Sequence, residues 1–365
     1  MTQTKAAIHP LALPQAPDTL LREDGSPRFG VFSGIPDEIS FETLGKPYAK
    51  NRLGEFLRHK KWMYFFATTD EVIVAGAIVD AGPTGTCFVM VTDRATGEVL
   101  ADASRPGAAG PLVKLNDRPL DGHRAHYLFP ATLMSIDGED LELRIQATLH
   151  KLPFVPLLSD PWLDLDLRIV LDPHPGIVAV TEVAGRPPMV TATAKNAALP
   201  TRGQLTISGG GRNASYNLGD GLGGFDYTNG YLPRETHWNW AYGMGAAMDE
   251  SIVGFNLVSG FSGIGDNSYE NMIWIDGEPH RLDPACRFEV DLDSPMRTWR
   301  ITTMDRAVDL QFKPLAVHHE SLNLGALRSR FIQPSGHFTG SIRVGDRRLV
   351  LDAIPGVAED QDVLW

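Results

Sequence analysis

Leu141-Glu142-Leu143-Arg144-Ile145-Gln146-Ala147-Thr148-Leu149-His150 decides the fold class, because every second side chain is apolar. A strand sends alternate side chains to opposite faces, so Leu141, Leu143, Ile145, Ala147 and Leu149 share one of them. On a helix the same residues would scatter around the axis. Leu163, Leu165, Leu167, Ile169 and Leu171 repeat the pattern against Asp164, Asp166 and Arg168. Working outward, strands are expected near 62–68, 72–80, 86–92, 271–276, 286–292, 307–312 and 338–351. Asp137-Gly138, Asp276-Gly277 and Gly345-Asp346 sit between such runs and suit tight hairpin turns that need positive φ. Only Tyr48 to Lys60 reads as helical, with Leu53, Phe56 and Leu57 on one side and Gly54 weakening it. Strands spaced by short turns, with so little helix, point to an all-β protein of antiparallel sandwiches or barrels.

A chain of 365 residues is long for one core and favours two domains. The expected division is a flexible arm over 1–24, one barrel over 25–195 and a second over 196–365. The internal boundary rests on the stretch 172–200, where Pro173, Pro175, Pro187, Pro188 and Pro200 interrupt strand pairing. Hydrophobic residues at 43 % exclude disorder, and no apolar run approaches the ~20 residues that span a bilayer. Met1 to Pro17 has no apolar core of signal-peptide length, so the expected compartment is the cytoplasm. The net charge of −12, without a long basic run, opposes nucleic acid and anionic membrane surfaces as partners. Cys87 and Cys286 each lie in an apolar, strand-like stretch and read as buried free thiols.

Several motifs fail on context. Gly219-Asp220-Gly221-Leu222-Gly223-Gly224 has the letters of a dinucleotide fingerprint, but Phe225 to Pro233 does not start a helix. No Gly-x-Ser-x-Gly elbow occurs, since Ser262 lacks its second glycine. Asn213-Ala214-Ser215 is a glycosylation sequon without a secretory signal. In His318-His319-Glu320 the two histidines are adjacent, so on a strand they point to opposite faces and share no metal ion. His318 alone is left as a candidate to reach a cavity.

The segment Gly223 to Gly243 differs from the rest. Trp238, Trp240 and Tyr242 alternate, so their rings share one face, with His237, Asn239 and Ala241 on the other. Three rings suit an apolar ligand, a cation held against π faces, or a plain core. Asp226, Glu235 and His237 crowd among them, and Glu270-Asn271 introduces the apolar strand Met272-Ile273-Trp274-Ile275. A carboxyl desolvated beside aromatic rings keeps its proton to higher pH and can act as a proton donor.

Lys61-Trp62, Gly224-Phe225-Asp226-Tyr227 leading to Gly230, Leu232-Pro233-Arg234 and Trp238-Asn239-Trp240 form a recognisable series. Gly254-Phe255-Asn256-Leu257, Glu270-Asn271, Asp276-Gly277, Asp309-Leu310-Gln311-Phe312, Gly336, Gly340, Gly356, Glu359 and Trp365 continue it. In these residues the sequence resembles a bacterial family described only as a domain of unknown function. More distantly it is similar to two-domain lipocalin-like proteins, among them carotenoid hydratases, tocopherol cyclases and fungal cyclases of the Diels–Alder type. Asp226, Gly230, Pro233, Trp238 and Trp240 follow the order of the hydratase motif. Asn229 falls one position late, and Tyr227 stands where related members carry a histidine. The resemblance implies two calycin barrels, an apolar pocket and no organic cofactor.

The expected function is hydration or proton-initiated cyclisation of a hydrophobic alkene-containing small molecule. Asp226, or failing it Glu270, would be the general acid. Trp238, Trp240, Tyr242 and Trp274 would stabilise a developing cation, and His237 would orient the acid or activate water. Tyr227 and Asn271 would position polar substrate atoms. A non-catalytic carrier and a shape-driven pericyclic cyclase remain open alternatives.

Overall fold

The computed structural model describes residues 13–108, 110, 112–129, 132–150, 162–171, 174–209, 212–260, 270–283, 285–323, 325 and 327–365. Ser262, Pro173 and the first twelve residues of the expected arm lie outside them. Among the described residues the first sheet begins with β1 (Gly30–Ser33), β2 (His59–Thr68), β3 (Val72–Asp80), β4 (Thr84–Asp93) and β5 (Val99–Ala108). It continues with β6 (Val113–Leu115), β7 (Arg124–Phe129), β8 (Thr132–Glu139), β9 (Glu142–Leu149) and β10 (Leu163–Val170). It ends with β11 (Ile177–Val183), β12 (Met189–Gly209), β13 (Arg212–Asn217) and β14 (Leu222–Tyr231). The second sheet holds β15 (Glu235–Ala246), β16 (Ile252–Ser259), β17 (Met272–Ile275), β18 (Glu278–Arg281) and β19 (Cys286–Glu289). β20 (Trp299–Thr303), β21 (Val308–Asn323), β22 (Arg328–Val344) and β23 (Arg347–Leu364) complete it.

These strands pair antiparallel. In the first sheet β5-β4-β3-β2 continues through β14 and β12 to β10-β9-β8-β7-β6, and β6 packs back on β2 and β3. In the second, β15 pairs with both β16 and the last strand β23, and β16 packs on β19. Each sheet therefore curls on itself, giving the barrel and half-barrel of two calycin-like domains. The alternation that decided the fold class explains the interior. Leu143, Ile145, Ala147 and Leu149 lie opposite Ile169, Leu167, Leu165 and Leu163 across β9 and β10, and all eight are buried. Each large aliphatic side chain removed from water there stabilises the fold by ~1.5–3 kcal/mol. Two cores result, one of which runs from the first sheet into Trp240, Tyr242 and Trp274. The other, around Phe255, Trp299, Phe312 and Phe338, lies within the second sheet.

Local departures from the expectations have local causes. Asp137-Gly138 is not the β8–β9 turn: Asp137 pairs with Arg144, and Asp140 and Leu141 make the turn at φ 53° and 58°. A Cβ on Gly138 would lie 1.8 Å from the Leu120 carbonyl oxygen, so this glycine serves a close backbone approach rather than a turn. Leu141 thereby leaves the apolar face and is exposed. Asp276-Gly277 and Gly345 do turn as expected, with φ of 50°, 86° and 56°. The helix shrinks to α1 (Arg52–Arg58), capped by Asn51 Oδ1 accepting from Gly54 N, and it buries none of its residues. The strands near 307–312 and 338–351 belong to far longer ones, β21, β22 and β23. The proline-rich stretch 172–200 carries β11 and the start of β12, and the change of sheet falls between Tyr231 and Glu235. Residues 13–24 run beside β1: Ala16 N donates to Ser33 O, and Leu20 and Leu21 are buried. Gly219 to Gly224 opens a strand, β14. Cys87 and Cys286 are buried free thiols, and burial pushes both up to about 12. No helix among the described residues is long and apolar enough to cross a membrane.

Candidate active site

A cavity of about 760 Å³ opens between the two sheets. Trp62 and Tyr64 of β2 and Phe88 of β4 wall it from the first sheet, and Trp238, Trp240 and Phe331 from the second. Period-two alternation on β15 aims Trp238 and Trp240 the same way, as expected. Trp238 stacks on Trp62 at 6.2 Å, and Tyr64 meets Trp240 edge-on at 5.0 Å. The indole of Trp240 is fixed by donating to Asn256 Oδ1 at 2.6 Å, and Asn256 donates to the Glu270 carbonyl.

Polar groups converge at the floor. Lys195 on β12 sits directly opposite Asp226 on β14 in the strand register, and its ammonium donates to Asp226 Oδ2 at 2.6 Å. Glu270 approaches the same ammonium at 3.3 Å, and the Lys195 side chain is only 3 % exposed. Thr193 donates to Asp226 Oδ1 at 2.7 Å, and Thr228 donates to Thr193. The ammonium also lies 5.6 Å from the centroid of Trp240. Burial works to lower the pKa of Lys195, but Asp226 and Glu270 outweigh it and hold the lysine above its usual value, charged. Burial raises Glu270, with Lys195 opposing and Asp226 adding to the shift.

A fourth titratable group faces the same space. Glu359, on β23 opposite Trp240, accepts from Trp238 Nε1 and Gln333 Nε2, each at 2.7 Å. Burial pushes its pKa up to about 7, against the two hydrogen bonds, which favour the carboxylate. Near neutral pH both of its protonation states are therefore populated.

The structure gathers some of the expected residues and disperses others. Asp226, Glu270, Trp238 and Trp240 line the cavity. Tyr242 lies just behind it, stacked on Trp240 at 5.2 Å, its hydroxyl donating to the Asn196 carbonyl. His237 projects from the opposite face of β15, with its side chain 53 % exposed and its ring 2.9 Å from Asp360. Tyr227 points into the first barrel, where its hydroxyl donates to Asn116 O. Asn271 accepts from Val258 N and so holds backbone, and Trp274 is buried in the core. His318 is buried behind the wall, stacked on Phe88 at 4.8 Å and held between Asp102 and Glu320 at 2.6 and 2.9 Å. Burial lowers its proton affinity, but those two hydrogen bonds prevail and raise its pKa to about 9. His319 is exposed on the other face.

Lys195 escaped the sequence reading, although a signal was present. It is the single charge in Val190-Thr191-Ala192-Thr193-Ala194-Lys195-Asn196-Ala197-Ala198-Leu199, a run otherwise of small, apolar or neutral side chains. Glu359 stood out only as part of a family-like series, without a role.

The sequence matches a domain of unknown function, DUF2804, over residues 13–365. The chain belongs to the DUF2804 family. No curated protein matches it. Among solved structures this DUF2804 chain is similar to CghA with Sch210972, at 13 % identity and TM-score 0.51, covering 97 % of this chain and 98 % of that one. CghA in a second structure gives the same values. Kievitone hydratase from Nectria haematococca is similar at 12 % identity and TM-score 0.42, covering 95 % and 98 %. At 13 % identity, the likeness of the DUF2804 chain to CghA is one of fold.

Proposed function

We propose that this protein is a cofactor-independent hydratase or cyclase of a hydrophobic, alkene-containing small molecule, with Glu359 as its general acid. One observation carries the reading: a carboxyl with a pKa raised to about 7 faces a 760 Å³ cavity walled by Trp62, Tyr64, Trp238 and Trp240. Glu359 gives its proton to one alkene carbon, whose π electrons form the new C–H bond. The cation left on the neighbouring carbon lies against indole and phenol faces, each worth ~0.5–2 kcal/mol to a desolvated cation. Water then adds and returns a proton to the carboxylate, or a second alkene of the same molecule adds and the resulting cation returns a proton from a neighbouring carbon to the Glu359 carboxylate. Asp226 is committed to Lys195 and Thr193, so its part is to anchor the lysine. Lys195 and Glu270 together offer a polar substrate group a donor and an acceptor. That the similarly folded CghA was crystallised with Sch210972 supports a small-molecule occupant. The change of sheet between Tyr231 and Glu235 favours dividing the domains at 232–234, since β12 runs through 195–196.

Incubation in D₂O with the apolar extract of cells lacking the gene tests the reading. Conversion should place one deuterium on carbon, and Glu359→Gln should lower turnover by ~10²–10⁴ while leaving substrate affinity nearly unchanged. A product without carbon-bound deuterium would mean a shape-driven cyclase. A compound bound and recovered unaltered would mean a carrier.

A further inference from the structure

The helix α1 presents Leu53, Phe56 and Leu57 at positions i, i+3 and i+4, which share one helical face. In a protein of this size such a stripe ordinarily packs on the core. Here Leu53 is 65 % exposed, Phe56 56 % and Leu57 43 %. Around them the charge is opposite to that of the chain. Lys46, Lys50, Arg52 and Arg58 fall within residues 46–58 with Glu55 as the one acid, although the whole protein carries −12. Lys46 and Arg52 are exposed, and Lys50 and Arg58 half-buried. Charges farther away than the ~8–10 Å Debye length are screened, so a surface meeting α1 encounters this basic patch rather than the net charge.

The position of the helix gives the patch its meaning. The Lys60 ammonium donates to Leu57 O and Ala81 O, and it lies 4.8 Å from the centroid of Trp365. Ala81 and Trp365 line the cavity, so the last turn of α1 sits on its rim. The pairing of Arg328 with Leu364, and of Asn323 with Arg328, brings the adjoining ends of β21 and β22 to the same end. Leu322 and Arg328, which also line the cavity, add another exposed apolar side chain and another cation there. An apolar helix face, flanked in sequence by cations, thus adjoins the mouth of an apolar cavity.

We infer that α1 and the adjoining ends of β21 and β22, at Leu322 and Arg328, form a docking surface for an anionic lipid bilayer, through which a hydrophobic ligand passes between membrane and cavity. Leu53, Phe56 and Leu57 enter the boundary between headgroups and acyl chains, and Lys46, Arg52, Arg58 and Arg328 lie against lipid phosphates and carboxylates. A ligand leaving the bilayer then reaches Trp365 and Trp62 without crossing open water. The inference rests on the apolar cavity and not on any proton transfer within it, so it survives if Glu359 proves inert.

Sedimentation of the full chain with vesicles tests it, using phosphatidylcholine mixed with phosphatidylserine against phosphatidylcholine alone. Binding should favour the mixed vesicles and fall with added salt. The variant L53Q/F56Q/L57Q and the charge reversal K46E/R52E should each weaken it at least about tenfold. Both alter solvent-facing side chains, so their melting temperatures should match the parent. The inference fails if the parent does not sediment, binds both vesicles equally, or binds as well as the variants do. It also fails if the parent ignores vesicles but forms a dimer that L53Q/F56Q/L57Q dissociates, which would give the face to a second copy.

Discussion

Replacing Lys195 with methionine removes the one cation from the cavity floor and leaves two buried carboxyls facing each other. At an effective dielectric of ~20, the contacts at 2.6 and 3.3 Å are worth about 6 and about 5 kcal/mol of gross attraction. Against that loss stands the several kcal/mol of desolvation that the lysine itself no longer suffers. Proton uptake by one of the stranded carboxyls returns part of the remainder, so the net cost of breaking such a buried pair is ~3–5 kcal/mol. With an unfolding entropy of ~2.1 cal/mol/K for each of 365 residues, that lowers the melting temperature by about 4–7 °C. Thermal and denaturant unfolding of the parent and Lys195→Met at pH 7 measure it. A companion carrying Lys195→Met, Asp226→Asn and Glu270→Gln should recover most of the loss, because it leaves no unpaired charge. A single-variant cost below ~1 kcal/mol, or a triple variant no better than the single, would refute the ion cluster as described.

Glu359 and His318 should write slopes of the same sign into the stability–pH curve, in successive pH windows. The folded pKa of Glu359 is raised from 4.5 to about 7, so the fold loses up to ~3 kcal/mol as pH rises across that window, and Glu359→Gln should flatten it. His318 is raised from 6.5 to about 9, so its contribution is complete below pH 6.5 and disappears as pH climbs to 9. Solvent at Asp102 and Glu320 trims that contribution to ~1–2 kcal/mol, and His318→Gln should abolish the slope in urea titrations above pH 6.5. Gly224→Ala would put a methyl 2.0 Å from the Tyr242 hydroxyl and 2.5 Å from the Asn196 carbonyl it bonds. Its denaturant midpoint should report a loss above ~2 kcal/mol, and a loss under ~1 kcal/mol would contradict that packing.

The sequence made the strands legible where one face meets a core. β3 spans Val72–Asp80 as expected, and β9 and β10 match within a residue of their predicted ends, because burial of one face imposes a period of two. Turns were less legible. Asp137-Gly138 has the right letters, yet the glycine answers to the Leu120 carbonyl, a contact between backbone segments eighteen residues apart. The apolar side of α1 was legible, but local periodicity carries no information about whether a partner surface is present. The aromatic wall was readable from alternation alone, and parity also put His237 on the far side, where it pairs with Asp360. The cavity floor was readable only in part: Asp226 and Glu270 stood out, but what joins them did not. Lys195 meets Asp226 only through the antiparallel register of β12 and β14, and Glu359 meets Trp238 only because the last strand pairs with β15. Such long-range pairings leave no local pattern, and a buried lysine among alanines and threonines was the sole trace.

The proton on Glu359 is the hinge of the proposed chemistry, and it can be observed without knowing the substrate. Carbon-13 NMR of glutamate side-chain carboxyls, with Glu359→Gln to assign the resonance, follows its titration from pH 4 to 9. The account predicts one carboxyl with a midpoint near pH 7 that vanishes in Glu359→Gln. If every glutamate has lost its proton by about pH 5, close to the ordinary glutamate range, the cavity holds no neutral-pH acid at Glu359 and the proposed protonation step is wrong.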